Sequence, residues 1–187
     1  MLLLKNGNVM TMAGPAFVGD VAIENGKIVA VGQSLSYSDA EVRDVTGMTV
    51  MPGIVDPHCH IGMWEDAMGF EGADGNECTN PITPELRAID AINPYDRCFE
   101  EAVAGGVTTC VTGPGSANVI GGQFVAIKTY GDSVENMVLR FPVAVKAAFG
   151  ENPKRVYNGK NQTPYTRMAT AALMQGADRG AGIQRKA

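Results

Sequence analysis

The stretch that most restricts how this chain can fold is Met51-Pro52-Gly53-Ile54-Val55-Asp56-Pro57-His58-Cys59-His60, which holds its only two histidines. Pro52 and Gly53 break whatever precedes them, and Ile54-Val55 opens a short apolar run that reads as a buried strand. Side chains alternate along a strand, so Ile54, Asp56, His58 and His60 are expected on one face, with Val55, Cys59 and Ile61 on the other. Imidazoles spaced this way can converge on one cation, because neutral imidazole is a strong ligand for zinc and similar metals. The competing reading is a pair of ordinary polar side chains at a strand end, and spacing alone leaves both open.

Composition narrows the function classes. The 187 residues are 45% hydrophobic, enough for a substantial core in one or two domains. A net charge of −5 gives no footprint for nucleic acid as a partner. No apolar run reaches the ~18 residues of a membrane span, and Met1 to Lys5 is too short for a secretory signal. A soluble, cytoplasmic protein without a membrane partner is expected. Cys59, Cys78, Cys98 and Cys110 form no Cys-x-x-Cys pair and read as reduced structural thiols.

Residues 1–51 read as a strand-rich module. Leu2 to Lys5 is a short strand closed by the turn signal Asn6-Gly7-Asn8. Asp20 to Glu24 and Lys27 to Gly32 flank Asn25-Gly26, which predicts a hairpin. Glu41 to Val45 and Met48 to Met51 flank Thr46-Gly47 and predict a second one. From Pro52 the pattern becomes strand, long loop, helix, strand. The loop 62–94 is acidic through Glu65, Asp66, Glu71, Asp74 and Glu77, and its length suggests a lid, with a short helix expected over 84–91. Asn93 is the expected cap of a helix with Pro94 at its first position, Cys98, Phe99, Ala102 and Val103 as its apolar stripe, and Gly105-Gly106 at its end. Val107 to Thr112 is then a strand, completing a βαβ unit. Gly113 to Gln123 is a glycine-rich loop without the P-loop Gly-Lys-Ser/Thr, so it reads as a substrate loop rather than a phosphate cradle. Phe124 to Lys128 and Phe141 to Gly150 are further strands. In the latter, Val143, Val145, Ala147 and Phe149 suit packing under helices, and Lys146 falls on the inward face with Ala144 and Ala148. A lysine there is costly unless it has a partner or a function.

Pro52, Gly53, Asp56, His58 and His60 together resemble the first barrel strand of the amidohydrolase superfamily, metal-dependent hydrolases with the pattern Pro-Gly-x-x-Asp-x-His-x-His there. Ala104-Gly105-Gly106-Val107-Thr108-Thr109 is similar to the family's second strand. The resemblance covers residues 1–174 and the N-terminal half of a complete enzyme. It implies an α/β fold in which a partial (β/α)8 TIM-type barrel, residues 52–174, follows a small β-sandwich half, residues 1–51. It also implies one or two divalent ions such as zinc, and a metal-activated water attacking an amide-like C–N bond in a small molecule or dipeptide. An imidazolonepropionase-like or dipeptidase-like branch is the nearest in pattern, with a deaminase role also open.

The ligands implied by the resemblance are His58 and His60 with a bridging group. Lys146 occupies a place comparable to the carboxylated lysine of some binuclear members, and Glu151 is its rival, since related enzymes use a glutamate for that task. Lys154 and Arg155 read as surface or substrate-anion contacts. The family's two later histidines and its general-base aspartate are not matched, because no histidine follows His60. The Gly- and Arg-rich stretch 175–187 departs from the amphipathic helix begun at Thr166, and is expected to be a tail foreign to the family on a truncated or frame-altered product. The alternative function is therefore a non-catalytic fragment that binds metal weakly or not at all. Either way, open strand edges near 107–112 or 143–149 make a homo-oligomer the expected state.

Overall fold

The computed structural model describes residues 1–66 and 68–184, with 178–184 as backbone only; it shows a mixed α/β protein with two β-sheets in two compact units, Met1–Gly53 and Ile54–Ala187. Residues 185–187 of the expected tail lie outside the described residues.

The first unit is a five-stranded sheet built from β1 (Leu2–Val9), β2 (Phe17–Glu24), β3 (Lys27–Gly32), β4 (Glu41–Asp44) and β5 (Thr49–Val50), in the order β3-β2-β1-β4 with β5 also on β1. The Asn25-Gly26 hairpin forms as its sequence dictates. Glu24 faces Lys27, and both turn residues take positive φ, 50° and 72°, which asparagine and glycine tolerate. The other two turn readings are corrected. Asn6-Gly7 does not end the first strand; β1 runs through it, absorbing a register shift between Leu4 and Gly7 with Asn6 at φ 65°. β4 and β5 do not pair as a hairpin. They lie one after the other, parallel, along the same edge of β1, because the longer β1 offers backbone partners to both. The buried Asp20 carboxylate ties this sheet to its loops by accepting from the amides of Asn6 and Leu35, each at 2.9 Å.

The second unit is a four-stranded sheet of β6 (Ile54–Cys59), β7 (Val107–Thr112), β8 (Ile120–Lys128) and β9 (Val138–Ala147) in that order. Helix α1 (Arg97–Ala104) links β6 to β7, which run parallel, so the expected βαβ unit is present. The expected continuation into further parallel strands is not what the described residues show. β8 is antiparallel to β7, and β9 to β8. The reason is connection length. A parallel return needs a crossover of roughly a dozen residues or more, and only short loops and the one-turn α2 (Val134–Met137) are available here. The core lies between this sheet and the segments over it, with Met63, Ala88, Ile92, Phe99, Cys110, Val125, Ile127 and Met137 buried together.

α1 starts later than its sequence suggests. Asp96 is the cap, accepting from the Cys98 amide at 3.1 Å, while Asn93 bonds the Tyr95 amide in a turn of its own. In the loop 62–94 the expected helix shrinks to a 3₁₀ turn at Ala88–Asp90. Two helices follow β9, α3 (Glu151–Asn158) and α4 (Arg167–Gln184). α4 does not stop at Met174; Ala169, Ala171, Ala172 and Ala177, the best helix formers, carry it past Gly176. No described helix is long and apolar enough to cross a membrane.

Candidate metal centre

His58 is the last residue but one of strand β6, and His60 follows just beyond its end. Their rings stand edge to face with centroids 5.5 Å apart, so the two-residue spacing does bring them together. Strict alternation, however, fails one step earlier. Between Asp56 and Cys59 the ladder slips, so that three residues of β6 advance while β7 advances from Cys110 to Thr112. Pro57 sits in that slip, having no N–H to give the ladder. Asp56 is therefore not grouped with the histidines as expected. Its carboxylate lies within 4.8 Å of the sulfurs of Cys59 and Cys110 and also accepts from the His58 amide at 3.1 Å.

The third member of the site comes from β9. Lys146 Nζ lies 3.2 Å from His58 Nε2 and 5.8 Å above the Phe124 ring, which itself stands 5.4 Å from the His58 ring. β8 positions this contact. Gly121 leaves the space beside the Lys146 stem, where an added Cβ would come within 3.2 Å of Lys146 Cβ. Burial pushes the Lys146 ammonium below the ordinary lysine value.

His60 is oriented from the end of β7. Its Nδ1 lies 2.6 Å from the Gly113 carbonyl, which can only accept, so Nδ1 donates and the lone pair of the neutral ring falls on Nε2. A backbone partner on one ring nitrogen that frees the other is the usual way a metal-binding histidine is aimed. Gly113 has to be glycine, since a Cβ there would collide with the Phe124 ring. Trp64, at the start of the long loop, completes the surround with its ring 5.5 Å from His60.

Glu151 is placed differently. It opens α3 and pairs with Lys154 at 3.2 Å, with an exposed carboxylate and no described contact to either histidine. The acidic residues of the loop 62–94 form no donor cluster with the histidines among the described residues. That loop is instead stitched down beside β8. Thr83 N donates to the Ile120 carbonyl at 2.9 Å, and Gln123 N donates to the Leu86 carbonyl at 2.7 Å. A buried chain of hydrogen bonds runs from Tyr157 of α3 through Asn118 to Thr83, at 2.6 and 2.7 Å. The glycine-rich loop thus has a structural role at Asn118, which its sequence does not announce.

The donor set fits a divalent ion. His60 Nε2 is free, and the 3.2 Å between Lys146 Nζ and His58 Nε2 is close to the spacing of two nitrogens sharing a tetrahedral ion at about 2.0–2.1 Å each. Beneath them, Cys59 is also chemically unusual. A hydrogen bond from Cys110 holds its thiol down to about 7, and the same contact pushes Cys110 up.

No family model matches this chain. Amidohydrolase tasK of Hapsidospora irregularis is 36% identical over 81% of the chain, which spans 17% of that protein. D-hydantoinase of Geobacillus stearothermophilus is 46% identical over 33% of the chain, and allantoinase of Enterococcus faecalis 50% over 32%; the chain spans 13% of each. The crystal structure of an amidohydrolase from Thermotoga maritima MSB8 aligns over 100% of the chain with a TM-score of 0.95 and 44% identity, and the chain spans 49% of it.

Proposed function

We propose that this chain, related to amidohydrolases along its whole length, carries the first ligands of a metal-dependent hydrolase site acting on amide-like C–N bonds. The observation that supports this most is the approach of Lys146 Nζ to His58 Nε2 at 3.2 Å, beside a His60 whose Nε2 is free. In this reading His58, His60 and Lys146 hold one or two divalent ions, with zinc suited to nitrogen donors. The chemistry a bound ion would supply there is polarisation of a carbonyl and a lowered pKa for water. The chain's own residues orient it. The Gly113 carbonyl fixes the His60 tautomer, and the Phe124 ring lies beside both His58 and Lys146 Nζ. Lys146 would contribute its Nζ or, if carboxylated by carbon dioxide with release of a proton, a carbamate oxygen. Glu151, paired with Lys154 at the start of α3 and without a described contact to either histidine, is the weaker candidate for that role.

The finer architecture belongs to the same proposal. The βαβ unit β6-α1-β7 is the opening of a barrel, and the first sheet is half of a sandwich. Its exposed Ile28, Val29 and Val31 support that reading, since a packed second sheet would cover them. Relatives named hydantoinase, allantoinase and dihydroorotase suggest a small cyclic amide as substrate. The test is ring opening of hydantoin, allantoin and dihydroorotate by zinc-supplemented protein. Activity on one of them that vanishes in His60→Ala supports the proposal. A zinc-loaded protein inert on all three refutes hydrolysis by this chain alone.

A second reading is favoured by what β9 and β6 leave bare. Val145, Phe149, Ile54 and Val55 are all exposed, against the expectation that Val145 and Phe149 pack under helices. On this reading the chain is a non-catalytic unit that self-associates through these residues and binds metal weakly.

A further inference from the structure

Away from the histidines, α3, the turn after it and the first turn of α4 enclose a cleft of about 690 Å³ lined by Lys154, Arg155, Tyr165, Thr166, Arg167 and Glu151, among others. Its charge is unbalanced. The single lining acid, Glu151, is paired with Lys154 at 3.2 Å. Among the described residues Arg155 bonds the neutral Asn152, its Nη2 donating to Oδ1 at 3.2 Å, which steadies the guanidinium without neutralising it. Among the described residues that line the cleft, Arg155 and Arg167 therefore leave a net positive charge in a concave surface, where fields are focused.

The backbone adds donors. The first amides of a helix have no intrahelical partner. In α4, Thr166 satisfies one of them, its Oγ1 accepting from Ala169 N at 3.1 Å, while its carbonyl takes the first regular helix bond, from Thr170 N at 3.0 Å. The amides of Arg167 and Met168 have no partner among the described residues, and both residues line the cleft. Two planar guanidinium groups with two helix amides form a donor set matched to the oxygens of a carboxylate or phosphate. The walls are held from below. Tyr157 and Thr170 are buried, and the Tyr157 carbonyl accepts from Lys160 N and Gln162 N at 3.1 and 2.9 Å, fixing the turn between the helices. The exposed rings and chains of Tyr165 and Met168 give an organic body an apolar lip.

We propose that this cleft binds an oxyanion, the carboxylate or phosphate of a small molecule, through Arg155, Arg167 and the first amides of α4. Binding does not depend on the histidine pair. The corollary that the hydrolase substrate carries its anionic group beside Glu151 rests on the function proposed above.

The test titrates chelator-treated, metal-free protein with succinate and separately with inorganic phosphate, following backbone amide NMR shifts. Saturable shifts at the Arg167 and Met168 amides are expected. The exposed Arg155→Gln/Arg167→Gln pair should weaken them about tenfold or more, as loss of charge-assisted bonds does. His60→Ala should leave them unchanged, which separates this site from the metal centre. Saturation by succinate alone assigns a carboxylate, and by phosphate alone a phosphate. Absence of saturable shifts at those amides with either anion overturns the proposal. So does undiminished binding in a double-arginine variant whose spectrum shows it folded.

Discussion

His60 shows how much a single side chain here depends on residues distant in sequence. Its own position was legible from the Pro-Gly-x-x-Asp-x-His-x-His spacing, and Lys146 from the cost of a lysine on a small-residue strand. The Gly113 carbonyl, the Phe124 ring and Trp64 carried no sequence signal, because each reaches the site through tertiary packing and none is a recognisable ligand type. Asp56 was misplaced for a local reason, the ladder slip at Pro57. Gly113→Ala should displace Phe124 and so cut zinc affinity while leaving both histidines in place; metal titration checks it. Tyr157→Phe strands the buried Asn118 oxygen and should cost about 1–3 kcal/mol in chemical denaturation. Two groups set an alkaline limit. Burial pushes the Cys98 thiol from 9.0 up to about 12 and the Tyr157 phenol from 10.0 up to about 12. Above these ordinary values the unfolded chain releases protons that the folded chain keeps, so stability falls as pH rises from 9 towards 12. Cys98→Ala should flatten the lower part of that decline in pH-dependent unfolding.

Among the elements, the strongest local signals held and the weaker ones yielded to pairing. Asn25-Gly26 made its hairpin because its positive φ values match the strand twist, whereas Thr46-Gly47 could not impose one against the free edge of β1. The strand segments of the second unit were readable, but their directions were not. Direction depends on connection lengths that become clear only once strand ends are known. α1 was displaced because Asp96 competes with Asn93 for the cap and wins by bonding Cys98 N. Asp96→Ala should therefore destabilise the protein by about 0.5–2 kcal/mol, measured by urea unfolding.

For the chain as a whole, the residues that remain bare matter as much as those it buries. Leu139, Val145 and Phe149 on and beyond the edge strand β9, and Ile28, Val29 and Val31 on the edge strand β3, are exposed. An exposed edge with apolar side chains is a template for another chain. Covering a few hundred Å² contributes several kcal/mol at ~25 cal/mol per Å² before association entropy is subtracted. Sedimentation at micromolar concentration should show a dimer or larger, and Val145→Lys/Phe149→Lys should shift it towards monomer. β7, named with β9 as an open edge on sequence grounds, is paired on both sides, so substitutions there test packing rather than association. The central claim is that His58, His60 and Lys146 form a divalent metal site, and zinc content after exhaustive dialysis tests it most directly. Zinc that stays with the wild-type protein and is lost from His58→Ala/His60→Ala, with a weaker loss from Lys146→Met, is the predicted result. Equal zinc in wild type and the double-histidine variant would contradict it.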